Sequence, residues 1–260
     1  MTDDQRACEA CRDGLALPFD FSMAFQPIVD VEGGDVFAYE ALARGPSGEP
    51  AKTVLDLITS ENRYAFDQMC RVKAITLAAR LGLPSRGASL SINFMPGAVY
   101  DPASCIRLTL KTAADVGFPI ERLIFEFVES EEVRDRAHLR AIIEHYRARK
   151  FKVAIDDFGA GYAGLNLLAD LPTDILKLDL ELIRNIHERP AARAIVGLMT
   201  ELAATLGSEI VAEGVETVEE YRALRDCGVR LMQGFLFARP AFEALPPAVM
   251  PISERSAIAS

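Results

Sequence analysis

No stretch of this 260-residue chain is apolar for long enough to cross a bilayer, and its opening, MTDDQRACEACRDG, lacks both the basic start and the apolar run of a secretory signal. A soluble, cytoplasmic protein is expected. Basic residues are scattered without a run, against a formal net charge of −10, which argues against broad binding to a nucleic-acid polymer or an anionic membrane. Histidine is scarce, and His138, His145 and His187 show no zinc-ligand spacing. Cysteines number five and sit in mixed contexts, so no disulfide framework is implied; Cys70, Cys105 and Cys227 lie in helix-like sequence, where a buried thiol is ordinary. Cys8 and Cys11 form a lone CxxC, read as a bland or incidental redox pair, with a zinc shared between two chains as the alternative. Repeats, low-complexity tracts and Pro/Ser-rich linkers are also missing. One folded domain is therefore expected over 20–245, after a polar segment (1–19) and before a proline-containing tail (246–260) that frays at its end.

What the chain does have is alternation. MAFQPIVDV (23–31), a Gly33-Gly34 turn and VFAYEALAR (36–44) read as a β-hairpin. Helical spacing follows from Thr53 to about Leu81, as one long helix or two consecutive ones, until Gly82 and Pro84 stop it. Strand-like runs (SLSINFM, LIFEFVES, KVAIDDFG, DILKLDL, EIVAEGVE, LMQGFLFARP) then alternate with helical ones. About eight strands in such an order favour a closed TIM-type (β/α)8 barrel with an antiparallel first strand over an open sheet.

Acidic residues stand at or just past the ends of these runs: Glu40, Glu126, Asp156 with Asp157, Asp179 and Glu213. Strand ends of a β/α barrel converge on one mouth, so these carboxylates meet in space. Like charges 4 Å apart cost about 4 kcal/mol per pair at an effective dielectric near 20, and a divalent cation resolves that conflict. Oxygen donors without histidine point to Mg2+ or Mn2+, and a pair of such ions suits in-line displacement at a phosphate.

Each residue has a plainer reading beside this one. Asp156-Asp157, followed by FGAGYAG, either binds metal or caps the next helix. Glu126, flanked by Phe125 and Phe127, is costly to bury without a cation, an arginine or a proton. Glu216 also looks like the start of the helix over VEEYRALRDCG, which makes Glu213 the stronger functional choice. Asn93 is either a neutral oxygen ligand or a turn residue. Lys177 either positions a water or a phosphate oxygen, or forms an ordinary salt bridge with Asp179 or a neighbour.

Glu40-Ala41-Leu42-Ala43-Arg44 resembles the signature of the EAL domain, the bacterial phosphodiesterase that hydrolyses cyclic di-GMP to linear pGpG. The rest of the family pattern follows in order: Gln26-Pro27-Ile28, Asn93 in SINF, Glu126 and Glu129 in EFVE, Asp156-Asp157-Phe158-Gly159, Lys177 and Asp179 in KLD, Glu213 and Glu216 in AEGVE, and Gln233-Gly234-Phe235. The resemblance implies that Glu40, Asn93, Glu126 and Asp156 hold one metal, and that Asp156 and Asp157 serve a second, with Glu213 nearby. It implies that Lys177 orients or activates the attacking water and that Gln233 assists near the reaction centre. Arg44 would meet a substrate phosphate, Gln26 would line the groove, and Asp179 and Glu216 would stand on the substrate side. Glu129 would brace the loop after Asp157, through which the family forms homodimers.

The chain departs from many members at 160, 163 and 164, where Ala, Ala and Gly replace Thr and Ser. In this it looks more like the EAL domains attached to BLUF modules. A stand-alone enzyme is expected, lowering a second messenger that controls biofilm formation and motility. The rival expectations are a receptor that binds cyclic di-GMP without cutting it and a metal-dependent barrel enzyme of another class.

Overall fold

The computed structural model describes residues 17–128, 136–160 and 164–251. Cys8, Cys11 and Glu129 lie outside the described residues.

The chain opens with the hairpin, β1 (Ser22–Asp30) against β2 (Asp35–Arg44), joined by a turn in which Asp30 Oδ1 accepts the Glu32 and Gly33 amides and Gly34 takes φ 76°. Strands β3 (Ser89–Asn93), β4 (Leu123–Val128), β5 (Lys152–Phe158), β6 (Ile175–Leu178), β7 (Glu209–Ala212) and β8 (Leu231–Met232) then add in parallel, each beside its predecessor. The ring closes when β8 meets β1 antiparallel, at Val29↔Met232 and Asp30↔Leu231. Arg230 reinforces this short seam, its Nε lying 3.0 Å from both Asp30 carboxylate oxygens. The barrel thus has its one reversed strand at the position expected.

One open alternative is resolved, and one strand is new. The helical pattern from Thr53 to Leu81 resolves into α1 (Ala51–Leu55) and α2 (Arg63–Arg80). Between them Asn62 accepts from the Thr59 amide and donates to the Leu57 carbonyl, building a turn where apolar spacing alone would let a helix run on. A short strand, β9 (Ala241–Phe242), pairs antiparallel with β1 at Ala24 and Phe25. Beyond it Tyr39 Oη donates to the Pro246 carbonyl, so the described part of the tail packs on the barrel.

Helices α3 (Pro102–Cys105), α4 (Arg107–Val116), α5 (Arg136–Arg147), α6 (Gly164–Asp170), α7 (Leu180–Ile183), α8 (Pro190–Leu206) and α9 (Val218–Asp226) fill the connections. The last begins with a capping box, in which Thr217 and Glu220 satisfy each other's amides. The large core lies between the barrel wall and these helices. A smaller one plugs the barrel interior with Ile28, Ala38, Ile124, Ala154, Ile175, Val211 and Leu231.

Candidate active site

Side chains two residues apart on a strand share a face. Two residues toward the mouth from each plug residue stand Gln26, Glu40, Glu126, Asp156, Lys177, Glu213 and Gln233. An apolar floor and a polar upper layer therefore come from one alternating pattern, repeated around the ring. β3 contributes Ser91 and Asn93 to the same face, in register with Glu40 and Glu126 respectively.

The doublet Asp156-Asp157 breaks the alternation. Register against β6 shifts between Ile155 and Phe158, and Asp157 adopts a left-handed φ of 53°. That local twist turns both carboxylates toward the mouth. One oxygen each of Asp156, Asp157 and Glu213 lie within 4.8 Å of one another, as do oxygens of Glu40, Glu126 and Asp156, a spacing that a cation could bridge.

Lys177 Nζ, with its residue 1% exposed, stands among these acids at 2.7 Å from Glu213, 2.9 Å from Glu126 and Asp156, and 3.5 Å from Glu40. Its partners are not Asp179, the neighbour that local sequence offered. Asp179 instead caps α7 by accepting the Glu181 amide at 2.9 Å. Burial opposes charge on Lys177, but the surrounding Asp156, Glu126, Glu213 and Glu40 carboxylates outweigh it and hold its pKa well above the usual lysine value.

Burial pushes the Glu126 carboxyl up to about 8 despite the pull of Lys177, with Glu40 and Asp156 adding to the rise. Glu213 is raised well above the usual carboxylate range, again by burial, with Lys177 opposing and Asp156 reinforcing. Burial also raises Asp157, helped by Asp156 and Asp179. One ammonium does not neutralise this cluster. Asp156 Oδ1 is buried, close to Lys177 yet without a hydrogen bond. An oxygen-only cluster with excess negative charge fits hard divalent cations.

Amides surround the acids. Asn93 Nδ2 donates to Glu40 Oε1 (3.1 Å), and Gln233 Nε2 donates to Glu40 Oε2 (2.8 Å) and Gln26 Oε1 (3.3 Å). Gln26 Nε2 donates to the Ala238 carbonyl. Ser91 Oγ donates to Glu126 Oε1, a partner that sequence reasoning missed; its signal was the polar spacing of Ser89, Ser91 and Asn93 along one strand face.

Two clefts meet at Glu40 and Asp156. The first, about 420 Å3, is lined by Gln26, Asp157, Asp179, Glu216 and Phe235 among others. Glu216 thus stands at the cleft as well as just before the α9 cap. The second, about 370 Å3, is mostly apolar and runs past Leu42, Leu55, Phe66 and Met95 between the barrel wall and α1–α2. Arg44 lines neither cleft, and its Nη1 donates to the Ala43 carbonyl.

Loop backbones at the mouth are packed closely. A Cβ on Gly234 would sit 2.0 Å from the Val215 carbonyl oxygen, and one on Gly214 would sit 2.8 Å from Leu180. Glycine lets the segment carrying Glu213 lie between α7 and the segment carrying Gln233.

A stand-alone EAL protein from Vibrio cholerae O395, solved in a c-di-GMP-bound form, superposes with a TM-score of 0.86 at 51% identity, covering 90% of this chain and 98% of that one. Klebsiella pneumoniae BlrP1, solved as a manganese/cy-diGMP complex, superposes at 0.85 with 35% identity over 91% of this chain and 60% of its own. The blue light- and temperature-regulated antirepressor BluF of Escherichia coli (strain K12) is 30% identical over 228 residues, 88% of this chain. The chain spans 56% of BluF and 38% of a Pseudomonas aeruginosa relative named cyclic di-GMP phosphodiesterase PA2567, about half or less of these relatives' lengths. The EAL domain matches residues 9–240, and the chain belongs to that family.

Proposed function

We propose that this chain is a metal-dependent phosphodiesterase that hydrolyses cyclic di-GMP to linear pGpG. The observation carrying this reading is the convergence of Glu40, Glu126, Asp156, Asp157 and Glu213 around Lys177 at the junction of two clefts. Glu40, Asn93, Glu126 and Asp156 would hold one Mg2+ or Mn2+, and Asp156 with Asp157 a second. Such ions polarise a phosphodiester and ease the deprotonation of water.

The chain's own groups supply placement. Lys177, kept protonated by its neighbours, orients the attacking water together with Glu213. Gln233 holds the groove side of Glu40 and is itself placed by Gln26, and Asp179 and Glu216 face the substrate across the first cleft. Arg44 reaches a phosphate by releasing the Ala43 carbonyl. The water oxygen bonds to phosphorus, the bond from phosphorus to the ribose 3′ oxygen breaks, and the water's proton ends on that leaving oxygen. A cyclic dinucleotide has two similar halves, and the polar and apolar clefts would each take one.

A second reading, a receptor that binds without cutting, is favoured by the likeness to an antirepressor. Incubation with cyclic di-GMP and Mn2+, followed by chromatography, separates the two. pGpG formation that Glu40→Ala abolishes supports the enzyme, whereas intact nucleotide with retained binding supports the receptor.

The proposal includes a homodimer through the loop after Asp157. Residues 161–163 of that loop lie outside the described residues. Turnover per chain that rises with protein concentration is expected, and a constant value overturns the need for a dimer. A cytoplasmic site of action agrees with Cys70, Cys105 and Cys227, which form no disulfide among the described residues.

A further inference from the structure

We propose that Ser91 is a positioning residue that fixes the Glu126 carboxylate for its metal. This rests on reading Glu126 as a metal ligand. Ser91 is fully buried on β3, facing the barrel interior, where an apolar side chain would fill the slot as it does in the floor below. Its hydroxyl donates to Glu126 Oε1 while Lys177 donates to Oε2 at 2.9 Å. Each oxygen of Glu126 thus has its own donor. The terminal torsion of a glutamate has only a broad, two-fold preference, so the flanking donors set the plane in which the carboxylate meets a cation. Without the hydroxyl, Oε1 would be a buried acceptor lacking its partner, free to turn about that torsion.

Hydrogen-bond partners of ligating carboxylates typically account for 10–100-fold in metal affinity. Ser91→Ala should therefore bind Mn2+ about tenfold more weakly than the parent, followed by the electron paramagnetic resonance signal of free Mn2+. Ser91→Cys, close in size and a weaker donor, should lose a smaller factor. Ile92→Val trims the outward face of the same strand and should leave Mn2+ affinity unchanged whatever it does to thermal stability. Parent-like affinity in both Ser91 variants overturns the proposal, as does an equal loss in Ile92→Val. A parent protein that binds no Mn2+ overturns the metal reading itself, which keeps the two failures apart.

Discussion

Lys177→Met removes the ammonium that Glu40, Glu126, Asp156 and Glu213 share at 2.7–3.5 Å. Most of the gross attraction at such distances is offset by the cost of burying the charges. The net penalty for deleting one partner of a buried ion pair is about 3–5 kcal/mol, because the remaining charges are left uncompensated. In a chain of this size each kcal/mol moves the thermal midpoint by about 2–4 °C. The chelator-treated variant should therefore melt about 6–20 °C below the parent. Ions at a hundredfold excess over Kd add about 2.7 kcal/mol by linkage alone. They should stabilise the variant more than the parent, because they also replace its missing positive charge. Differential scanning calorimetry with EDTA and then with excess MnCl2 reads both effects. Equal midpoints in EDTA, or an equal Mn2+ shift in the two proteins, would refute the counter-charge role. Turnover should fall by at least about 100-fold, and unchanged turnover would remove Lys177 from the mechanism.

Gly234→Ala should destabilise the protein by several kcal/mol, since its Cβ would meet the Val215 carbonyl oxygen at 2.0 Å; an unchanged urea midpoint would show that the segment yields freely. Arg71→Met should cost about 3–5 kcal/mol by leaving buried Asp67 without its ion-pair partner, and Arg71→Met with Asp67→Leu should recover much of the loss. Denaturation of all three forms tests that pairing, and a double variant no better than the single one refutes it. Arg230, followed by the turn amides, lowers the Asp30 carboxyl to about 2. Its folded pKa is depressed, so the stability it adds is complete above about pH 4 and lost as pH falls through about 2. Since Arg230 is half exposed, Asp30→Asn should flatten the acid limb of stability by only about 1–2 kcal/mol, and an unaltered limb would refute the assignment.

The ring of acids was legible because alternation along a strand and convergence at a barrel mouth are local and topological rules that single positions obey. Glu40, Glu126 and Asp156 each follow an apolar residue two places away that turns out to be floor. The partners of Lys177 were not legible, since they come from β2, β4, β5 and the end of β7, brought together only by closure. Ser91 was passed over because a serine in a strand resembles a solvent-facing residue until the strand is known to face a polar interior. The choice between one helix and two over 53–81 stayed open because apolar spacing continues through the break after α1, and Asn62 makes its turn with hydrogen bonds that periodicity does not register. β9 is two residues long, too short to leave a pattern.

The seam between β1 and β8 has a consequence for the order of assembly. Gln26 and Gln233 face one another near it, although about two hundred residues separate them along the chain. During synthesis β1 is made long before β8 and β9, the two strands that complete its pairing. Non-local pairing of this kind must wait for the whole intervening chain and forms slowly. The acids of β2 through β5 can gather before that, but Glu40 gains its Gln233 donor only when the ring shuts. A nascent barrel therefore gains its complete set of site contacts only once β8 has paired with β1, and a truncation before Leu231 leaves an open sheet edge at the reversed strand.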